Sequence, residues 1–235
     1  MDEKLYSQKE LELRLNEQHR QITQMYSEIM DSIILGMASV IESRDDSTGQ
    51  HVRRTSRCAS LFAEKLKERK AYDISDEFAS CVTKAAPMHD LGKLKIPDSV
   101  LQKPGRFTDD DYAVMKNHSV YGAALIYEVF SEIFDEDFIH IAINMAYFHH
   151  EKWDGSGYPK GLKGEEIPFE ARIMALADVF DALVSKRCYK ESFSYDEVFH
   201  IIEASLGTHF DPKLGREFLN IRTDIEQLYD ELLAE

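Results

Sequence analysis

The sequence predicts an all-α protein. Apolar residues recur in steps of three, four or seven, as they do along helices that bury one face. No run alternates apolar and polar residues in the manner of a half-buried strand. Residues that favour helix starts precede several of the periodic segments: Ser75, Thr108, Ser194 with Glu197 in capping-box spacing, and Asp211 followed by Pro212.

The first predicted helix covers residues 3–43 and carries a narrow apolar stripe. Before about residue 28 almost every other position is polar, and Gln18 interrupts the stripe. So narrow a stripe is typical of a coiled-coil seam, which favours a dimerising arm or a connector from an upstream sensory module. A single amphipathic helix folded back on the domain is the alternative. We place the boundary after residue 32, with the arm at 1–32 and the main domain at 33–235. The stripe consists of Leu11, Leu15, Ile22, Met25, Ile29 and Ile33.

The remaining helices alternate with two long loops. One loop is marked by Gly92, Pro97, Pro104 and Gly105, and the other covers residues 151–168. Helices are predicted at 50–70, 75–88, 108–130, 137–149 and 170–185, and two more begin after Ser194 and Asp211.

Composition and charge exclude several classes of function. The 235 residues, 43% hydrophobic, suffice for one substantial core with an appendage. A net charge of −15 disfavours binding to nucleic-acid polymers, whose phosphates require a basic surface. The longest apolar run, 33–41, is too short to span a membrane. Three scattered cysteines and a charged N-terminus without an apolar signal core predict a cytoplasmic protein.

Histidines and aspartates stand at helix ends or beside the glycine-rich loops. Any one of them alone is more often an ordinary core or surface residue than a metal ligand. Together they form a nitrogen and oxygen set without thiolate, which suits Fe, Mn, Ni, Co or Zn. Their number is too large for one ion and suits two ions that share a carboxylate, an arrangement that serves phosphoester hydrolysis. The set is His51, His89, Asp90, His118, His149, His150 and Asp178.

Two spacings within this set have competing explanations. Asp178 and Asp181 share one face of an apolar helix, where carboxylates need a cation or another partner. Salt bridges to arginines are the alternative to a metal. We assign Asp178 to the metal and place Asp181 behind it, among the residues near the substrate. His118 and Gly122 are four apart on one face, and the glycine makes room for either a metal cluster or a neighbouring helix.

The chain resembles an HD-GYP domain over roughly residues 33–219. These domains are a branch of the HD phosphohydrolase superfamily that hydrolyses the bacterial second messenger cyclic di-GMP. The resemblance implies an HD-domain helical bundle and a metal-dependent phosphodiesterase, which forms pGpG and more slowly GMP through a hydroxide that bridges two metals. It rests on the segments RDDSTGQHVRR, HDLGKLKIPDSVLQKPGRFT, MKNHSVYGA, HHEKWDGSGYPKGLKGEEIP, ARIMALADVFDALVSKRCYK and GTHFDP.

The resemblance also implies a role for each site residue. Fe or Mn is the expected metal, with Ni, Co or Zn as further candidates. Lys93 is expected to act at the scissile phosphate, and Tyr158 belongs to the loop that shapes the substrate cleft. Arg187 and Lys190 correspond to phosphate contacts. One ion would be held by His51, His89, Asp90 and Asp178, and Asp90 would bridge to a second ion held by His118, His149 and His150.

Two positions depart from the pattern of the HD-GYP domains. Some members carry a glutamate four residues before the histidine of the first motif, where it helps to hold a third metal. Here that position is Ser47, which predicts a binuclear site and pGpG as the main product. Cys188 stands where proline is usual, and the loss of a stiff residue predicts a looser Arg187–Lys190 segment and slower turnover.

Other functions and several partners stay open. A module that binds cyclic di-GMP or docks a diguanylate cyclase with little turnover is the main alternative, and another cyclic dinucleotide or a nucleotide phosphate is a second. Trp153 and Tyr158 could stack on guanine or simply pack the loop. The expected partners are cyclic di-GMP, a second copy of the chain through the N-terminal helix, and an upstream receiver or sensor module.

Overall fold

A computed structural model of the protein describes residues 8–44, 50–185 and 193–234. Within these ranges the chain forms α-helices, short 3₁₀ helices and loops, and it contains no β-strand. The predicted all-α class is therefore confirmed. None of the described helices is both long enough and apolar enough to cross a membrane.

The described residues form eleven α-helices. Short 3₁₀ helices lie at Ala86–Met88, Leu91–Lys95 and Gly164–Glu166. The α-helices are α1 Gln8–Arg44, α2 His51–Glu68, α3 Asp76–Ala85, α4 Asp98–Leu101, α5 Asp109–Met115, α6 Asn117–Phe130, α7 Glu136–Phe148, α8 Phe169–Val184, α9 Tyr195–Ala204, α10 Pro212–Asn220 and α11 Arg222–Leu233.

The predicted helix starts are confirmed by their capping bonds. The Ser75 side chain accepts a hydrogen bond from the backbone of Phe78 at the start of α3. Thr108 and Ser194 each form a complete capping box, with Asp111 and Glu197 respectively. These bonds satisfy backbone N–H groups that the first turn of a helix leaves without partners.

Two predicted helices are each divided in the structure. The segment 108–130 forms α5 and α6 with a break at Lys116, and the last helix is divided at Ile221. Neither break is marked by glycine or proline. At the first break the carbonyl oxygen of Met115 accepts a hydrogen bond from the ring of His118, so the break helps to orient a predicted site residue.

The chain divides into two compact units, residues 1–36 and 37–235. The sequence placed this boundary at residue 32. In the first unit, the side chains of the predicted apolar stripe are between 45% and 66% exposed.

Buried aromatic rings hold together the helices of the second unit. Phe180 of α8 packs against Phe218 of α10 and Tyr229 of α11, with ring centroids 5.7 Å and 4.9 Å away. Phe62 of α2 meets Phe218 at 5.0 Å. Burial of such rings is a large favourable term in folding. The cluster joins α2 to α8, and these two helices carry His51 and Asp178.

A pair of glycines brings the first glycine-marked loop against α6. A Cβ atom on Gly92 would lie 1.9 Å from the carbonyl oxygen of His118 and 2.3 Å from the backbone nitrogen of Gly122. Only glycine permits such an approach of two backbones. The approach places the segment that contains Asp90 and Lys93 directly beside His118.

Candidate metal centre

Asp90 lies at the centre of the histidine cluster and faces it with both carboxylate oxygens. Its Oδ2 lies 3.5 Å from Nε2 of His89. Its Oδ1 lies 3.5 Å from Nε2 of His118 and 4.0 Å from Nε2 of His149. One side chain thus offers an oxygen to imidazoles on two sides, as a carboxylate that bridges two cations does.

The three histidines around Asp90 are oriented in the same way. In each of them the ring Nδ1 is hydrogen-bonded to a backbone carbonyl oxygen three or four residues earlier. A carbonyl only accepts, so Nδ1 carries the proton and Nε2 keeps its lone pair. This is the tautomer that binds a metal through Nε2. The Nδ1–oxygen distances are 2.8 Å from His89 to Ala86, 2.7 Å from His118 to Met115 and 3.0 Å from His149 to Met145.

Burial keeps these imidazoles neutral. It lowers the pKa of His118 to about 4, and it also lowers the pKa values of His89 and His149. The pKa of His150 falls well below its ordinary value, again mainly through burial. The neutral ring is the form that binds metals.

One buried nitrogen of the cluster has no hydrogen-bond partner. Nε2 of His89 is inaccessible to solvent, and no described group hydrogen-bonds to it. A buried polar atom without a partner costs free energy. A divalent cation beside Asp90 would remove that cost, so the residues present fit a metal ion.

His51, at the start of α2, lies between two aspartates of α8. Its Nδ1 is 2.7 Å from Oδ2 of Asp181, and its Nε2 is 3.3 Å from Oδ1 of Asp178. Burial lowers the pKa of His51, but the hydrogen bonds to Asp178 and Asp181 together outweigh it and raise the pKa to about 10. The space between Nε2 and Asp178 therefore attracts positive charge.

Asp181 is held by a buried arginine. Arg54 donates to it from Nε at 2.6 Å and from Nη2 at 3.1 Å. The Asp181 side chain is 1% exposed. Its carboxylate is engaged by Arg54 and His51, so the predicted substrate contact of Asp181 does not agree with this geometry. The arrangement instead agrees with the predicted position behind Asp178.

The predicted ligands converge in two groups. His51, His89 and Asp90 form one, and His118, His149 and His150 form the other. Within each group the ligand atoms lie within 4.8 Å of one another. Asp178 adjoins the first group through His51. Each group contains three members of one of the two ligand sets that the HD-GYP resemblance implies, and the assignment of these residues to metal ions stays a prediction.

Lys93 lies at the edge of this cluster. Its Nζ is 2.8 Å from Oδ2 of Asp90, and its side chain is 18% exposed. Burial acts to raise the pKa of Asp90, but the charge of Lys93, followed by those of the neighbouring histidines, brings the pKa well below its ordinary value. Asp90 is therefore ionised and available to a cation.

The loop after α7 brings Tyr158 against the second group of ligands. The Tyr158 ring stacks on His150, with centroids 4.8 Å apart and 28° between the planes. Its backbone N–H donates to the carbonyl oxygen of His150 at 3.2 Å. Nζ of Lys116 lies 5.3 Å from the centroid of the Tyr158 ring. Tyr158 thus forms a wall beside the cluster.

Trp153 packs within the same part of the chain. The guanidinium of Arg172 lies 5.7 Å from its ring centroid. Its backbone N–H donates to the carbonyl oxygen of His209 at 3.0 Å. These contacts favour the loop-packing interpretation of Trp153 over base stacking.

Four residues singled out in the sequence lie outside the described residues. Arg187 and Lys190, the predicted phosphate contacts, belong to this set together with Cys188 and Ser47. The predictions attached to them stay predictions.

Sequence reasoning missed two residues that the structure places next to the ligands. Arg54 follows His51 by three positions, so it shares a helix face with it, and that spacing was the available signal. Glu151 directly follows the histidine pair and is buried, at 2% exposure. The sequence gives no sign that Glu151 is buried, because a glutamate in a loop is ordinarily solvated.

The chain matches a known protein family and several known proteins. The HD domain family matches residues 36–214. A cyclic di-GMP phosphodiesterase of Vibrio cholerae is 44% identical over 193 residues, which are 81% of this chain and 39% of the relative. The cyclic di-GMP phosphodiesterase response regulator RpfG of Xanthomonas campestris pv. campestris is 45% identical over 192 residues, which are 82% of this chain and 48% of the relative. The chain therefore spans less than half the length of either relative.

A solved structure supports the fold. The cyclic GMP-AMP specific phosphodiesterase of Vibrio cholerae aligns with a TM-score of 0.54 and 22% identity, over 84% of this chain and 48% of that chain. At that identity the likeness concerns the fold alone. The family match covers most of the chain, and the adjacent His89 and Asp90 lie at the centre of the cluster. The chain belongs to the HD domain family.

Proposed function

We propose that this chain hydrolyses a phosphodiester bond of cyclic di-GMP at a site that holds two divalent transition-metal ions. The observation that carries the proposal is the convergence of three Nε2 atoms, from His89, His118 and His149, on the two oxygens of Asp90. The substrate follows from the names of the two relatives that are 44% and 45% identical.

The donor set determines which ions the site would take. Bound divalent ions supply Lewis acidity toward phosphoryl oxygens and an activated water. Imidazole and carboxylate donors without thiolate suit Fe or Mn, with Ni, Co or Zn as further candidates. One ion would be held by His51, His89, Asp90 and Asp178, and the other by Asp90, His118, His149 and His150.

Residues of the chain itself would bind and orient the anionic substrate. Lys93, beside Asp90, lies where it can approach a phosphoryl oxygen and offset negative charge that builds during the reaction. Lys116 and Tyr158 flank the second group of ligands. Such local positive charge matters in a protein whose net charge is −15. Arg187 and Lys190 stay the predicted further phosphate contacts.

We propose pGpG as the main product, with slower conversion to GMP. Ser47 replaces the glutamate that helps to hold a third metal in some HD-GYP domains, and this departure supports a binuclear site.

The test is hydrolysis by protein purified without oxygen, stripped of metal and reloaded with Mn²⁺ or Fe²⁺. Chromatography of the digest should show pGpG accumulating before GMP. His118→Ala should abolish hydrolysis, whereas His140→Ala, at an exposed position in α7, should leave it unchanged. Rapid and complete conversion to GMP would contradict the binuclear site. Calorimetric binding of cyclic di-GMP without hydrolysis would favour the low-turnover module instead.

A second substrate is supported by a sequence relative, the 3'3'-cGAMP-specific phosphodiesterase 2 of Vibrio cholerae, which is 37% identical over 205 residues, 84% of this chain and 37% of the relative. Values of kcat/KM across a panel of cyclic dinucleotides decide between the two, and a higher value for the mixed dinucleotide would displace cyclic di-GMP.

We further propose that the N-terminal helix joins two copies of the chain. Support comes from the exposed apolar stripe, which repeats at coiled-coil spacing. A cytoplasmic location, an upstream receiver or sensor module and a diguanylate cyclase partner stay predictions.

A further inference from the structure

A buried glutamate organises the loop that carries Tyr158. Glu151 is 2% exposed, and its carboxylate accepts three backbone hydrogen bonds from one short segment. Oε1 accepts from Lys160 at 2.7 Å and from Gly161 at 3.1 Å, and Oε2 accepts from Leu162 at 3.0 Å. The carboxylate therefore fixes the chain immediately after Tyr158 and Pro159.

No cation shares this role in the parts of the chain that the structure describes. None of the lysine, arginine or histidine side chains there forms an ion pair with Glu151. A buried carboxylate without a counter-ion needs hydrogen bonds to its oxygens to offset the cost of burial. The loop N–H groups meet that requirement, so the carboxylate and the loop conformation depend on each other.

The same loop packs closely against the two residues that follow the histidine pair. A Cβ atom on Gly157 would lie 2.3 Å from the backbone nitrogen of Lys152 and 2.5 Å from Cα of Glu151. The next residue, Tyr158, donates its N–H to His150 and stacks its ring on the same residue. The loop thus closes on both sides of Tyr158, through Gly157 before it and through the Glu151 carboxylate after it.

We propose that Glu151 is a positioning residue for the phosphodiester site. Its carboxylate holds residues 160–162 so that Tyr158 stays stacked on His150 and presents a fixed wall to the substrate. Glu151 acts through Tyr158 and is not itself one of the candidate metal ligands. The inference deepens the proposed function, because it concerns the same site.

Glu151→Gln is the direct test, and Glu166→Gln is its matched control. The first change removes the charge and one of the two acceptor oxygens while keeping the size of the side chain. Glu166 belongs to the same loop and accepts a backbone hydrogen bond from Lys163 at 2.9 Å, but it is exposed. A general sensitivity of the loop to loss of a glutamate charge would affect both variants.

The first readout needs no activity. Trp153 is the only tryptophan in the chain and lies in this loop, so its fluorescence reports loop order. Acrylamide should quench it about twofold more strongly in Glu151→Gln, because a loosened loop admits the quencher, and should quench Glu166→Gln like the unchanged protein. Equal quenching in all three proteins would overturn the proposal. The quenching test does not depend on hydrolysis. If the unchanged protein cannot hydrolyse cyclic di-GMP, only the proposed function is refuted.

The second readout separates positioning from a loss of metal. Glu151→Gln should raise KM for cyclic di-GMP about tenfold and change kcat less than about threefold, with manganese content unchanged. In a Tyr158→Leu background, Glu151→Gln should add nothing to KM, because both changes remove the same wall. Independent, multiplicative effects on KM would show that Glu151 does not act through Tyr158. If the unchanged protein binds cyclic di-GMP without turnover, the calorimetric Kd replaces KM.

Glu151→Asp covers the case in which the glutamine variant does not fold by circular dichroism. It keeps the charge but is one methylene shorter, so it cannot reach all three N–H groups. The same increases in quenching and KM are expected, and values equal to those of the unchanged protein would overturn the proposal.

Discussion

The histidines of the site are oriented by two different kinds of contact. His89, His118 and His149 are fixed by carbonyl oxygens of their own helical segments. Those acceptors are in place as soon as the local backbone forms. His51 depends instead on Asp181 of another helix, which is itself held by Arg54. A substitution at Asp181, 130 positions away along the chain, can therefore remove the contact that orients His51.

Arg54→Met should reduce the free energy of unfolding by about 3–5 kcal/mol, because it removes both guanidinium hydrogen bonds from the buried Asp181 carboxylate and leaves it paired with His51 alone. The matched control is Arg69→Met. Arg69 pairs with Glu217 at 3.2 Å but is 45% exposed, so less than about 1 kcal/mol should be lost. Urea unfolding of metal-free protein measures both values. Equal decreases in the free energy of unfolding would show that the buried Arg54–Asp181 pair stabilises the protein no more than the exposed Arg69–Glu217 pair.

The ligands could be predicted from the sequence, but their supporting contacts could not. His89 and Asp90 are adjacent, and the other ligands lie in motifs that resemble a known family. Arg54 and Asp181 are 127 positions apart, so their contact exists only after α2 packs on α8. The hydrogen bonds of Glu151 depend on a loop conformation that no local pattern specifies.

At the level of elements, the Gly92 segment approaches α6 so closely that no side chain fits at this position. Gly92→Ala would place a methyl carbon 1.9 Å from the backbone carbonyl oxygen of His118. This carbonyl belongs to helix α6, so it cannot move without distorting the helix. A loss of at least about 2 kcal/mol in stability is expected, together with weaker manganese binding, since the substitution displaces Asp90 from His118.

Gly36→Ala is the control for that change. Gly36 lies within α1, and no atom approaches within 4 Å of a Cβ atom built on it. Alanine there should stabilise the helix by about 0.5–1 kcal/mol, since it loses less backbone entropy on folding. Thermal unfolding followed by circular dichroism measures both variants, and a destabilised Gly36→Ala would contradict the argument from space alone.

The apolar stripe of α1 predicts assembly. Ile22 and Ile29 are seven residues apart, as equivalent coiled-coil positions are, and they are 56% and 50% exposed. The double variant Ile22→Glu with Ile29→Glu should convert a dimer to a monomer in light-scattering measurements of mass. Leu13→Glu, an apolar position that is 61% exposed and lies off the stripe, should leave the dimer intact. A monomeric parent protein would refute the proposed dimer.

Element boundaries show how far local sequence signals extend. Helix starts at Ser75, Thr108 and Ser194 were predictable because capping is a local interaction between residues three apart. The breaks at Lys116 and Ile221 were not, since no glycine or proline marks them. The break at Lys116 accompanies the bond between His118 and the Met115 carbonyl, which is part of the site's own geometry.

For the molecule as a whole, the acidic protein keeps uncharged imidazoles in its interior. Burial lowers the pKa values of His118 and His209 from 6.5 to about 4. Between about pH 4 and pH 6.5 the unfolded chain binds more protons than the folded one. The free energy of unfolding therefore decreases as the pH falls through this range. For His118, a shift from 6.5 to about 4 corresponds to about 3 kcal/mol.

His51 titrates in the opposite sense and does not cancel this loss. Its pKa, raised to about 10, contributes stability that is fully present below pH 6.5 and is lost as the pH rises toward 10. Metal-free protein should therefore be most stable near neutral pH and should weaken both in acid and in base.

Urea unfolding in EDTA, repeated between pH 7.5 and pH 4, measures the acid side of this dependence. The midpoint should fall steadily below about pH 6.5. Replacing His118 by Asn should flatten the profile, because the buried group no longer takes up a proton on unfolding. Asn at the exposed His140 should leave the slope unchanged. A parent profile that is level over this range would mean that the folded protein accepts protons on its buried histidines as readily as the unfolded chain does. Such a result would contradict the argument that burial keeps the histidines of the site neutral and able to bind a metal.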